Sequence, residues 1–102
     1  MIYFWTWQGK FFGYREFDEL WTYNGKHIGK FHDQEIYGQE GCYLGEIGNE
    51  NRLIRSLAKI NYRKYPFNPL QRGLGIVPFA NYVGYALYAG YEDFPEPIQF
   101  PG

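Results

Sequence analysis

Few side chains in this 102-residue chain are of types that do covalent chemistry, and their spacing decides how each one reads. Ser56 is the only serine. Lys59 follows three residues on, but a Ser-x-x-Lys pair without further elements is a weak signal, and Ser56 reads as a turn residue. Cys42 is the only cysteine, and as a nucleophile it would need His27 or His32 beside it as a base. It follows a turn glycine, the place that Lys10 and Lys26 hold elsewhere, which predicts an exposed tip cysteine of no special role. His27, His32 and Asp33 offer metal-ligand types, yet three donors at one strand end make a poor cage, so no metal or other cofactor is expected. Gly25-Lys-His-Ile-Gly29-Lys30 is one residue short of a phosphate loop, with Phe31 where a hydroxyl would reach magnesium. Glu16, Asp18, Glu19, Asp33, Glu35, Glu46 and Glu50 fall in predicted turns, where solvated carboxylates are the ordinary case. A general acid would need one of them buried in a cleft. These residues argue against an enzyme more than for one.

Two further groups could bind rather than react. Arg52, Arg55, Lys59 and Arg63, with Lys64, make up half of the ten basic residues and form a candidate basic patch. The net charge is −1, so there is no strong case for nucleic acid. Aromatic residues make up 23% of the chain, and Trp5, Trp21 and Tyr37 recur sixteen apart. With Trp7 and Tyr23 they are the candidate ligand- or partner-binding set. If exposed, such rings stack on sugars or cage a quaternary ammonium group. The reading favoured here is that the C-terminal segment covers them, the usual fate of an aromatic row on a sheet face.

What positions these residues is a sixteen-residue repeat. Gly9, Gly25 and Gly41 keep that spacing, as do Gly13, Gly29 and Gly45. Phe4, Leu20 and Ile36, and likewise Phe12, Ile28 and Leu44, are apolar in every copy and are the predicted core. Gln8-Gly9, Asn24-Gly25 and Glu40-Gly41 separate β-prone runs, so each copy reads as a hairpin. Asn-Gly predicts a type I′ turn with positive φ at both central residues. Connecting turns are placed at Glu16 to Glu19, His32 to Gln34 and Gly48 to Asn51. The second glycine of each copy predicts a bulge or a close backbone approach. The expected fold is therefore all-β, with three clear hairpin repeats and a degenerate fourth over 51–64. There Leu57 replaces the turn glycine, and Leu53, Leu57 and Ile60 also fit a helix.

All six prolines lie beyond Tyr65, which divides a hairpin domain (1–65) from an irregular or partly helical arm (66–102) packing on it. Residues 66–80 read as extended. Residues 81–90 fit a short helix capped by Asn81 and ended by Gly90, or a strand, since Tyr and Val favour strands, and an extended, partly mobile tail follows. The lone cysteine points to a reducing, cytoplasmic setting. No membrane span or secretory leader is visible, so no membrane partner is expected.

The Gly-x-x-x-Gly units, the Ile36-Tyr37 and Tyr43-Leu44-Gly45 runs and Asn51-Arg52-Leu53-Ile54 resemble the small bacterial proteins of the 4-fold β-flower family. The resemblance spans roughly residues 2–62. It implies four hairpins about a pseudo-four-fold axis and no particular activity. The functional expectation is a non-enzymatic protein-interaction or self-assembly module, with a protein partner or a second copy of the chain. The alternatives are a sugar or quaternary-ammonium receptor acting through the aromatic face, and an enzyme of unknown class.

Overall fold

Phe4, Leu20 and Ile36 sit opposite Gly13, Gly29 and Gly45 in successive strand pairs, so each bulky residue faces a bare backbone across the ladder. That pairing recurs through the computed structural model, which describes residues 1–100. Strands β1 (Ile2–Thr6), β2 (Phe11–Glu16), β3 (Glu19–Thr22), β4 (His27–His32), β5 (Glu35–Tyr37), β6 (Tyr43–Asn49) and β7 (Arg52–Ser56) run antiparallel in chain order. β1 then pairs in parallel with β7 through Trp5↔Arg52 and Thr6↔Leu53, which closes seven strands into a barrel. An eighth strand, β8 (Tyr91–Asp93), pairs with the far end of β7.

The barrel interior holds Phe4, Phe12, Leu20, Ile28, Phe31, Ile36, Leu53 and Phe94, with Leu44, Ile47 and Phe100 partly buried against them. All six core positions predicted from the repeat are among these residues. Phe94, at the start of the segment expected to be an extended tail, plugs the core, its ring edge-on to Phe12 at 5.2 Å. Burying such a ring is worth about 2–3 kcal/mol, which fixes this part of the tail. A 3-10 turn (Pro97–Gln99) follows, and residues 101 and 102 of the predicted tail lie outside the described residues.

The hairpin tips differ from the type I′ expectation. Gly9, Gly25 and Gly41 have φ near +90°, but Gln8, Asn24 and Glu40 do not share the positive φ. Each glycine N–H donates to the carbonyl three residues back, at Thr6, Thr22 or Gly38, and the ladder slips register beside it. This is the arrangement of a type I turn followed by a left-handed glycine, which matches strand twist in a longer loop. Thr6 and Thr22 reinforce it, their hydroxyls accepting the N–H of Lys10 and Lys26. The connecting turns carry Phe17, Asp33 and Glu50 at positive φ.

The fourth copy is half made. β7 supplies its first strand, but Leu57–Lys59 is a single 3-10 turn, and the returning partner, β8, arrives only after the long stretch 60–90. A glycine-free tip cannot adopt the left-handed turn cheaply. The helix alternative over 51–64 reduces to that one turn. β6 also slips register between Ile47 and Asn49, which puts Leu53 rather than Arg52 in the core position.

The helix expected over 81–90 does not form. Its backbone donors are spent on the barrel: Tyr82 and Tyr85 N–H bond to the carbonyls of Gly9 and Trp7. Asn81 does not cap a helix but accepts the Phe11 N–H through its side-chain oxygen at 2.9 Å.

A Cβ added to Gly9 would overlap the carbonyl of Tyr82, whereas one added to Gly90, which also has positive φ, meets nothing within 4 Å. Gly90→Ala should therefore cost only left-handed strain, about 1 kcal/mol, and Gly9→Ala about 3 kcal/mol, because the arm must also move. Denaturant unfolding checks the difference, and hydrogen exchange should show lost protection of the Tyr82 and Tyr85 amides in the Gly9 variant alone.

Candidate functional site

The stretch that crosses the hairpin tips, residues 64–90 and hereafter the arm, is held to the barrel by backbone bonds that repeat. Lys64 and Phe67 N–H donate to the carbonyls of Gly41 and Gln39, at 3.0 and 2.9 Å. Gly73 and Ile76 donate to Gly25 and Tyr23, at 2.8 and 2.7 Å, and Tyr82 and Tyr85 to Gly9 and Trp7, at 2.8 and 3.0 Å. The arm advances nine residues for every sixteen that the barrel retreats. This spacing was missed in the sequence because backbone groups carry it. Its side-chain trace is slight: Tyr65, Leu74 and Val83 recur nine apart, and so do Pro69 and Pro78.

The aromatic row lies beneath this arm. Trp5, Trp7, Trp21 and Tyr37 are buried, and Tyr23 is half-buried. The Trp5 and Trp7 indole N–H groups donate to the carbonyls of Ala80 and Ala86, both at 2.9 Å. Tyr82 stacks on Trp5 at 4.4 Å, while Tyr85 and Tyr88 meet Trp7 edge-on. Trp21 packs against Tyr14 and His27, but its buried indole nitrogen has no partner among the described residues.

The arm leaves large apolar side chains in solvent. Tyr65, Leu74 and Val83 are 92%, 90% and 86% exposed, one per repeat, and Val77, Leu87 and Tyr88 stand among them. Between Tyr65 and Gly90 the only charged residue is Arg72.

The basic residues do not converge. Arg52 is buried at the junction of barrel and arm, where it donates to the carbonyls of Trp7 and Val83 and lies over Tyr85 at 4.1 Å. Arg55 pairs with Glu92, and Arg63 contacts the Cys42 sulfur. Lys59 bridges Glu35 and Glu46, at 2.9 and 2.8 Å.

Lys59 is the centre of a chain of polar contacts. Tyr37 donates to Glu35 and Tyr43 to Glu46, each at 2.8 Å, and the Ser56 N–H donates to the Tyr43 hydroxyl. The bond from Lys59 holds the Glu35 carboxyl below its usual range. The two carboxylates raise Lys59 in turn. Burial, then the bond to Glu35, pushes Tyr37 up to about 12, and burial likewise raises Tyr43. Ser56 therefore has no free lysine beside it to act as a base.

The other chemical candidates are similarly occupied. His27 is buried, with Nδ1 accepting the Leu70 N–H at 2.9 Å and Nε2 facing the Gly29 carbonyl at 3.1 Å and Glu19 at 2.6 Å. It reaches the same cleft as Cys42, but its lone pair is already engaged, so the two do not make a nucleophile–base pair. His32 is exposed and edge-on to Tyr37. Of the carboxylates read as solvated, Glu19, Glu35 and Glu46 are half-buried, because their strands turn Glu35 and Glu46 toward Lys59 and Glu19 toward buried His27.

Lys59→Met should cost about 1–2 kcal/mol at neutral pH, because it strands two half-buried carboxylates. A carboxyl lowered on folding adds stability above its unfolded pKa and loses it as the pH falls through the folded value. The gap between wild type and variant should therefore close through the acid range, and urea melts at stepped pH would measure it.

Among the described residues no helix is long and apolar enough to cross a membrane. No curated protein and no solved structure matches the chain. A family model does, over residues 1–81, which take in the whole barrel and most of the arm. The chain belongs to the family described as the 4-fold beta flower protein.

Proposed function

We propose that this protein is a non-enzymatic self-assembly module whose contact surface is the outward side of the arm. The observation that carries this reading is the row Tyr65, Leu74 and Val83, each at least 86% exposed on a backbone pinned at both flanks. Large apolar side chains left standing in solvent, one at each of the three tips, support a docking role. A net charge of −1 puts little repulsion between two copies, which supports a second copy of the chain as the partner. Like patches meet readily about a two-fold axis. The aromatic-receptor alternative loses support, because its rings are already covered by the arm.

Leu74→Asp with Val83→Asp is the direct test. Both side chains stand in solvent, so unfolding free energy should change by no more than about 0.5 kcal/mol. Light scattering should give twice the chain mass for the wild type and the chain mass for the variant. A wild type that stays monomeric across the accessible concentration range removes the reading.

A further inference from the structure

The repeat places two equivalent clefts between neighbouring hairpin tips, and they differ in a way that points to a ligand. The first cleft is lined by Lys10, Phe11, Tyr23, Phe79 and Asn81. One step on, the second has Lys26, His27, Gln39, Leu70 and Arg72 at the matching places, with a volume of about 390 Å³. In the first cleft the arm is pinned by its own side chain, Asn81 accepting the Phe11 N–H. In the second the pin comes from the barrel instead, His27 accepting the Leu70 N–H. The arm position that matches Asn81 is thereby released from that duty, and it carries Arg72. Arg72 has no hydrogen-bond or ion-pair partner among the described residues.

We infer that this second cleft binds a small organic carboxylate with an apolar body. Arg72 offers a planar fork suited to a carboxylate. Lys26, also in the lining, spends one donor on the Phe100 carbonyl at 3.2 Å and keeps two. Ile28, Leu44 and Phe100 give the cleft an apolar lining. The volume falls in the range of small-molecule sites, and a few polar groups over an apolar floor is their usual composition. Glu40 is the one carboxylate in the lining, so it opposes an anion and sets the sign of a second test.

The experiment is an NMR titration of the labelled full chain with sodium phenylacetate, with inorganic phosphate as the charge-only control. Saturable shifts are expected at the His27, Cys42, Leu44 and Leu70 amides and not at Val83 on the arm's far side. Arg72→Met should weaken binding about tenfold, the loss of one charge-assisted contact, with the melting temperature unchanged. Glu40→Gln should tighten it by removing a like charge. Equal binding by wild type and Arg72→Met, shifts that never saturate, or phosphate binding as well as phenylacetate at the same amides would each overturn the inference.

Discussion

The left-handed glycine at each hairpin tip is the constraint on which the rest of the structure depends. Gly9, Gly25 and Gly41 combine positive φ with an absent side chain, and both properties are used. The φ value closes the turn. The bare α-carbon lets the arm's backbone come close enough for the tip carbonyl to accept its N–H. Any other residue would strain the turn and displace the arm together, so turn geometry and arm docking are one requirement.

The aromatic layer follows from that docking. A barrel of seven short strands has a small interior, and alternation turns Trp5, Trp21 and Tyr37, which follow the inward Phe4, Leu20 and Ile36, to its outer face. They stay outside and are buried only because a second layer of chain passes over them. That layer is a single extended strand of backbone without a sheet partner, so its N–H groups need acceptors and its carbonyls need donors elsewhere. The tip carbonyls and the two indole N–H groups meet that need. Arg52 completes the seam, its charge spread over two carbonyls and a tyrosine face. A one-layer cover has an outward side, and in this chain Tyr65, Leu74 and Val83 stand exposed on the arm.

The break in the repeat has a related cause. The fourth copy lacks its tip glycine, and there the chain leaves the barrel to become the arm. Had a fourth hairpin formed, the chain would have had no exit beside the third tip. β8 fills the vacancy after the arm has passed all three tips, and Phe94 closes the core behind it. Asp93 ties this last strand to the first tip by accepting the N–H groups of Trp7 and Gln8. Burial raises its carboxyl, and those bonds partly offset the rise.

Much of the barrel was legible in the sequence by itself. A strict period in glycine and apolar residues determines which positions turn, which face inward and which form the aromatic row, because local backbone sterics and side-chain alternation act within a few residues. The family resemblance rested on the same local pattern. The tertiary structure alone decided what covers that row. The arm's nine-residue register lives in backbone bonds to tips up to 78 residues away in sequence, such as Tyr85 to Trp7. Tyr-rich residues 81–90 look helical or strand-like locally, and only competition from the tip carbonyls makes them neither. Likewise Phe94 reads as tail until a core vacancy claims it. Arg52, Arg55, Lys59 and Arg63 read as one patch until the fold gives each its own partner.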